Sequence, residues 1–208
     1  MLRQIEKNGK NRGATPLATG AGSTGESASE FFRFAIIAIL IVVPIRLFVA
    51  QPFVVSGASM VPSFENGNYL IIDELSYWFE EPKRGEVIIF RFPSNPKKFL
   101  IKRVAALPGE TILIKDDTVT IKNNVYPEGV LWEQGAIATS GRAAQQTVTL
   151  DADEYFVLGD NRDESADSRL WGPLQRDYII GRPLVRLYPI PQIGFFPGAW
   201  REKVDETH

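Results

Sequence analysis

The chain has 208 residues with 23 Lys and Arg against 25 Asp and Glu, a formal net charge of −2, no cysteine and a single histidine. That near balance offers no electrostatic footprint for nucleic acid, the length suffices for one core-burying domain with appendages, and the lack of cysteine excludes disulfide staples. Because the one histidine is the last residue, His208, a Ser-His-Asp triad, a Cys-His pair and most zinc sites are excluded, and any nucleophile needs another base.

Residues 1–30 read as a disordered tail, since Gly13 through Ser29 are mostly Gly, Ala, Ser and Thr with almost nothing to bury. Phe31 to Ala50 is then a window whose only charges are Arg33 and Arg46, each near an end where a long side chain reaches an interface. At about 1.5 Å per residue this window predicts a helix of roughly 30 Å, one bilayer core, with Pro44 late enough for a kink to be tolerated. A cleavable leader fits less well, because the polar stretch before it is long and Phe48-Val49-Ala50 is a poor small-x-small site. Arg3, Lys7, Lys10, Arg12 and Arg33 precede or open the window, whereas no cation follows Arg46 until Lys83. The positive-inside rule therefore predicts a single-pass protein of the inner or plasma membrane, with a cytoplasmic N-terminus and residues 51–208 exported.

Beyond the window, β-branched and aromatic runs predict short strands at 69–72, 86–92, 99–104, 111–114, 118–121, 147–150 and 155–158, with a strand-like Phe53-Val54-Val55 ahead of them. Asp116-Asp117 and Asn123-Asn124 are hairpin-type breaks. The only helical signal after Ala50 is a short turn near Leu75 to Phe79. The exported part is expected to be mostly β, with hairpin-like strands and a loop poor in apolar pattern over about 110–150.

Three segments carry chemistry. Val55-Ser56-Gly57-Ala58-Ser59-Met60-Val61-Pro62-Ser63 supplies hydroxyls at a strand end, and Leu100-Ile101-Lys102-Arg103-Val104 supplies a lysine among apolar neighbours. Leu158-Gly159-Asp160-Asn161-Arg162-Asp163-Glu164-Ser165-Ala166-Asp167-Ser168-Arg169 is too dense in charge and hydroxyl for an ordinary loop. A serine needs a neighbouring base, and lysine serves only when neutral. Bringing its pKa from about 10.4 toward neutrality takes roughly three units, about 4 kcal/mol, which desolvation can supply. In a strand Lys102 shares a face with Leu100 and Val104, which fits an apolar pocket. On composition alone Ser56, Ser59, Ser63 and Ser165 all compete for the nucleophile.

Together these segments closely resemble the bacterial type I signal peptidases, whose patterns read roughly S-x-S-M-x-P-T, K-R-V-x-x-L-P-G-D and G-D-N-R-D-N-S-x-D-S-R, over residues 31 to 200. The resemblance implies a β-rich fold shared with LexA-like proteins, with a small inserted β subdomain at 110–150, preceded by one transmembrane helix. It implies Ser59 as nucleophile, Lys102 as general base and Ser165 as the hydroxyl that orients the lysine amine. It further implies structural ion pairs Asp160 with Arg103 and Asp167 with Arg169, and shallow pockets for small substrate side chains lined by Phe53, Val55, Met60, Phe64, Leu100 and Ile101; plain core packing is the alternative for these side chains, with equal weight at Phe64. The hydroxyl that often assists the oxyanion is replaced by Gly57, leaving the Ser59 backbone N–H, with Ser56 as a further candidate. Glu164 replaces an asparagine beside Ser165, and an anion facing Lys102 would oppose a neutral base, so its side chain is expected to face away. Ser63, Asn68, Glu86 and Glu110 are departures conservative in shape. Tyr77-Trp78-Phe79 and Phe195 through Trp200 are aromatic clusters suited to a bilayer interface or to a β core.

The expected activity is removal of N-terminal signal peptides from exported preproteins after Ala-x-Ala, by a monomer acting with no metal and no organic cofactor, partnered by preproteins and the lipid bilayer. Rival readings are a conjugation-type maturation peptidase of the same family, a self-cleaving LexA-like repressor, for which no DNA-binding module fits ahead of residue 31, and an inactive membrane-tethered β module that binds exported polypeptides.

Overall fold

The structure is a computed structural model that describes residues 24–44, 51–115, 118–132 and 145–199. Helix α1 covers Thr24–Pro44, and along it Phe31, Phe32, Phe34, Ile36, Ile37, Ile39 and Leu40 are exposed. The helix starts earlier than the expected tail-to-span boundary at residue 31. Glu, Ala and Ser from Glu26 to Glu30 are serviceable helix residues, and adding a turn to an existing helix is far easier than nucleating one. Among the described residues no helix is long and apolar enough to cross a membrane. The last six residues of the expected span, 45–50, lie outside the described residues, as does most of the expected tail.

The rest of the fold is β. In chain order the strands are β1 Gln51–Val54, β2 Tyr69–Asp73, β3 Val87–Phe92, β4 Asn95–Ala106, β5 Thr111–Lys115, β6 Thr118–Lys122, β7 Val130–Leu131, β8 Gln146–Thr149 and β9 Glu154–Leu158. They continue with β10 Leu174–Gln175, β11 Ile179–Tyr188 and β12 Gly194–Phe195, while a one-turn helix α2, Ser168–Trp171, follows the charged motif. The large sheet has the order β1-β2-β11-β3-β4-β9-β10, with β12 on β11, and the small sheet has the order β7-β6-β5-β8. Every pairing is antiparallel.

Alternation explains how one sheet serves two cores. Side chains of successive strand residues point to opposite faces. On β3, Val87 and Ile89 enter a cluster with Val55, Met60, Phe64, Leu70 and Ile72. Ile88 and Phe90 enter another with Tyr77, Val104, Tyr155, Val157 and Leu174. A strand buried on both faces reads as a continuous apolar run, which Val87-Ile88-Ile89-Phe90 is.

The small sheet does not stand apart. Ile112, Ile114, Val119, Ile121 and Trp132 share one buried cluster with Ala105 and Ala106 of β4 and Phe156 and Leu158 of β9. At its base Glu110 takes hydrogen bonds from the Leu107 N–H at 2.8 Å and Asn123 Nδ2 at 2.8 Å, and pairs with Arg84.

β11 has no counterpart among the expected strands, yet it lies at the centre of the large sheet. Gly181 and Pro183 interrupt the residue pattern, and both fall at irregular points of the ladder, where the register shifts between Ile179 and Gly181 and between Pro183 and Val185. A side chain at 181 would come within 2.4 Å of the Asp73 carbonyl oxygen, so the glycine is what lets β11 lie against β2.

Candidate active site

The turn that carries Ser59 grows out of β1. Past the end of the strand the ladder persists for one more step, with the Val55 N–H donating to the Asn68 carbonyl at 2.9 Å and the Gly67 N–H to the Val55 carbonyl at 2.9 Å. Gly57 then reverses the chain at φ +95°, a left-handed conformation that glycine adopts without penalty, and its N–H donates to Asn66 Oδ1 at 3.0 Å. Within the turn Val61 N–H bonds the Ala58 carbonyl at 3.2 Å and Phe64 N–H the Met60 carbonyl at 2.8 Å.

Lys102 comes from β4, opposite Ile88 of β3, and is 3% exposed. Its Nζ donates to Ser59 Oγ at 2.7 Å and to the Ile101 carbonyl at 2.9 Å. Burial pushes the amine down to about 8, against the raising influence of Asp167 and Asp160. Desolvation thus wins over two nearby carboxylates, and the reason lies in how those carboxylates are occupied.

Asp160 is tied up by Arg103, which donates Nε to Oδ1 at 2.9 Å and Nη2 to Oδ2 at 2.6 Å, with both side chains buried. Arg103 also donates Nη1 to the carbonyls of Gly85 at 2.8 Å and Gly198 at 2.6 Å, and Nη2 to Ser63 Oγ at 3.2 Å. Asp167 caps α2 through the Arg169 N–H at 3.2 Å, accepts the Arg169 side chain at 2.8 and 3.0 Å, and accepts the Gly159 N–H at 3.0 Å. Charges held in two-pronged pairs with backbone donors are satisfied in place, which makes a buried loop of this polarity tenable.

Gly159 permits the closest approach in the site. A side chain there would come within 2.2 Å of Ser165 Oγ and 2.6 Å of the Ser59 carbonyl oxygen, and that same carbonyl accepts the Asn161 N–H at 3.1 Å. The charged motif is therefore strapped to the backbone of Ser59. Ser165 is buried at 8% exposure, and its Oγ has no hydrogen-bond partner among the described residues. The bond from this hydroxyl to the lysine amine that the resemblance implies is not formed; the amine is directed to Ser59 Oγ and the Ile101 carbonyl instead. Glu164 is exposed.

A cleft opens beside the pair, lined by Phe53, Val54, Val55, Ser56, Ser59, Leu70, Ile89 and the run Phe99 to Lys102. β1 and β4 are not neighbours in the ladder order, yet the rings of Phe53 and Phe99 meet edge-on with centroids 5.3 Å apart. The sheet curls until these two strands face each other across the cleft. Of the pocket residues the resemblance implies, Phe53, Val55, Leu100 and Ile101 line it. Met60 and Phe64 do not: at 1% and 0% exposure they pack in the core behind the turn with Leu70, Ile72, Val87 and Ile89. The Ser59 N–H donates no hydrogen bond within the described residues, while Ser56 is exposed and lies on the cleft wall. No group of three or more metal-binding side chains occurs among the described residues.

A family model described as "Signal peptidase, peptidase S26" matches residues 28–188. The chain belongs to this family. Among similar proteins, "Signal peptidase I" of Leptolyngbya laminosa is 34% identical over 191 residues, covering 86% of this chain and 91% of that one. "Probable signal peptidase I-2" of a Synechocystis species is 33% identical over 183 residues, covering 85% of this chain and 81% of the relative. "Signal peptidase I" of Bacillus caldolyticus is 34% identical and covers 76% of this chain and 91% of its own length. A signal peptidase I of known structure, from Enterococcus faecalis, shares 29% identity with a TM-score of 0.41, covering 50% of this chain and 97% of that one.

Sequence reasoning passed over Gly159 as a contact point and Ser63 as a bonded member of the site. Glycine in a motif gives no sign of which backbone will approach it, and Ser63 gains its partner only through the three-dimensional return of Arg103.

Proposed function

We propose that this S26 chain is a membrane-anchored serine endopeptidase that removes signal peptides from exported preproteins after Ala-x-Ala. The observation that carries the reading is the 2.7 Å contact between Ser59 Oγ and a Lys102 amine that is almost wholly buried. A serine and a lowered-pKa amine at hydrogen-bond distance have the geometry of a nucleophile and its base.

In this reading neutral Lys102 takes the proton of Ser59 as Oγ bonds to the scissile carbonyl carbon. The oxyanion develops toward the Ser59 N–H, a backbone donor not spent elsewhere in the described fold. The carbon–nitrogen bond then breaks, and the Lys102 ammonium returns its proton to the departing amine. Water repeats the sequence on the acyl-enzyme and restores Ser59. A substrate in extended form fits the gap between β1 and β4, where it can bond as an added strand. Shallow walls at Phe53, Val55, Leu100 and Ile101 favour small side chains.

Ser165 is assigned the role of orienting the amine once it turns away from the Ile101 carbonyl. What supports this is the hydroxyl itself, buried beside Ser59 and unpartnered, since a lone buried polar group costs stability unless it serves another purpose. The anchor reading rests on the apolar window from Phe31, part of which α1 forms with its large side chains exposed. The cation distribution around that window supports a cytoplasmic N-terminus.

The test is direct. Purified protein in detergent is incubated with a preprotein carrying an Ala-x-Ala site, beside Ser59→Ala and Lys102→Ala variants. Cleavage after the second Ala by the unaltered protein alone is expected. Activity surviving both substitutions would overturn the pair, and a folded but inert unaltered protein would favour a module that only binds polypeptides.

A further inference from the structure

Behind the turn that carries Ser59, one residue is gripped by two arginines. Ser63 offers its hydroxyl to Arg103 Nη2 at 3.2 Å and its carbonyl to Arg186 Nη2. Arg186 lies on β11, facing Leu70 of β2 on one side and Gly194 of β12 on the other. Its guanidinium stands 4.9 Å over the centre of the Phe64 ring and donates Nη1 to Gln192 Oε1 at 2.7 Å. The Phe64 ring is pressed in turn against Gly198, where a side chain would come within 2.5 Å of it. The Gly198 carbonyl accepts Arg103 Nη1 at 2.6 Å, which closes a ring of contacts from Arg186 through Ser63 and Phe64 to Arg103.

Arg103 is the chain neighbour of Lys102, so this ring fixes the end of the turn relative to the strand that bears the base. The turn is short and internally bonded, with Phe64 N–H on the Met60 carbonyl, and Met60 follows Ser59. A displacement at Ser63 therefore carries Ser59 with it.

We propose that Arg186 is a positioning residue which, by holding the Ser63 carbonyl and the Phe64 ring, keeps the Ser59 turn within reach of Lys102. The kinetic consequence rests on the endopeptidase reading above; the placement of the turn does not. Among the described residues Arg186 makes no hydrogen bond to Ser59 or Lys102, and its planar fork and flat face are both used, one for the carbonyl and one for the ring. Lysine can keep the charge and one donor but cannot stack.

The test uses the full chain in detergent with Arg186→Lys and Arg186→Met. Cleavage kinetics are followed across pH together with thermal unfolding, and the Lys102 amine is titrated by NMR in lysine-labelled protein, with Lys102→Ala identifying its signal. A shift of reacting atoms by about an ångström costs on the order of a hundredfold in rate. Accordingly kcat is expected to fall about tenfold in Arg186→Lys and about a hundredfold in Arg186→Met, with KM within about twofold. The amine of the folded variants should titrate higher than in the unaltered protein, because a turn that swings away lets water reach it. An amine that titrates unchanged in folded Arg186→Lys overturns the proposal, as does a rate loss equal at every pH that merely tracks the unfolded fraction. If the unaltered protein cuts nothing, the endopeptidase reading falls while the amine titration still decides the positioning.

Discussion

β4 carries lysines at both ends, and the two ends sit in different solvents. Lys97 and Lys98 lie in the exposed first half, whereas Lys102 to Ala106 are buried. The pairing already separates the two halves: Lys97 and Lys98 fall at an irregular point of the ladder with β3, whereas the second half is held by β3 up to Arg103 and by β9 from Arg103 to Ala106. The cover adds to this: the Ser59 turn, the charged motif and the small sheet all close over the second half. The pKa of the Lys102 amine is lowered by what other parts of the chain place on top of it, and the neighbouring carboxylates are prevented from undoing this by being committed to arginines.

The largest effect that would test this contrast is on catalysis. Lys102→Ala and Ser59→Ala should each lower kcat by about a thousandfold or more, as for other nucleophile–base pairs, measured with a preprotein substrate. A change of similar consequence for folding comes from uncovering one charge. Asp160→Asn leaves Arg103 buried without its anion, and the expected loss is about 3–5 kcal/mol in denaturant unfolding.

The amine's lowered pKa gives a pH signature of its own. Neutral lysine accumulates above about 8, so kcat/KM should rise about tenfold per pH unit below that value and level off above it. Stability carries the same mark with a defined sign. Between about 8 and the ordinary value of 10.5 the unfolded chain binds the proton that the folded one does not, so stability rises with pH through that window and the gain is lost as pH falls through 8. Lys102→Met should flatten this slope in unfolding experiments run from pH 7 to 10.

Ser165→Ala separates stability from rate. Removing an unpartnered buried hydroxyl should leave the melting temperature equal or higher, with an expected gain of up to about 1 kcal/mol, while kcat falls about tenfold if the hydroxyl orients the amine. A variant as active as the original would remove Ser165 from the chemistry. The smallest effect belongs to the other end of β4: Lys97→Ala with Lys98→Ala should change kcat by less than about twofold, since both side chains are in water.

Much of the chemistry could be read in the residues. Apolar neighbours around Lys102 signalled a buried amine, and the lack of an internal histidine forced attention onto it. The small sheet announced itself through alternating Ile and Thr and through its turn residues. What escaped was set by contacts between distant segments. β11 was hidden by Gly181 and Pro183, residues that oppose a strand reading unless the ladder is known to be irregular there. Met60 looked like a cleft wall because of where it stands in the motif, and Phe64 was balanced between wall and core; the turn's reversal sends both into the core. The partner of Ser165 could not be read either, since orientation within a loop follows from which backbone it is strapped to.

The shared core beneath the small sheet bears on attempts to build a minimal enzyme. Residues 111–149 look like a detachable appendage in the linear order, yet excising them would leave Ala105, Ala106, Phe156 and Leu158 facing water on the back of the two strands that flank the lysine and the charged motif. A trimmed version would need a redesigned polar rear surface before it could hold its front in shape, and chimeras that exchange this piece between relatives should be cut together with its bed.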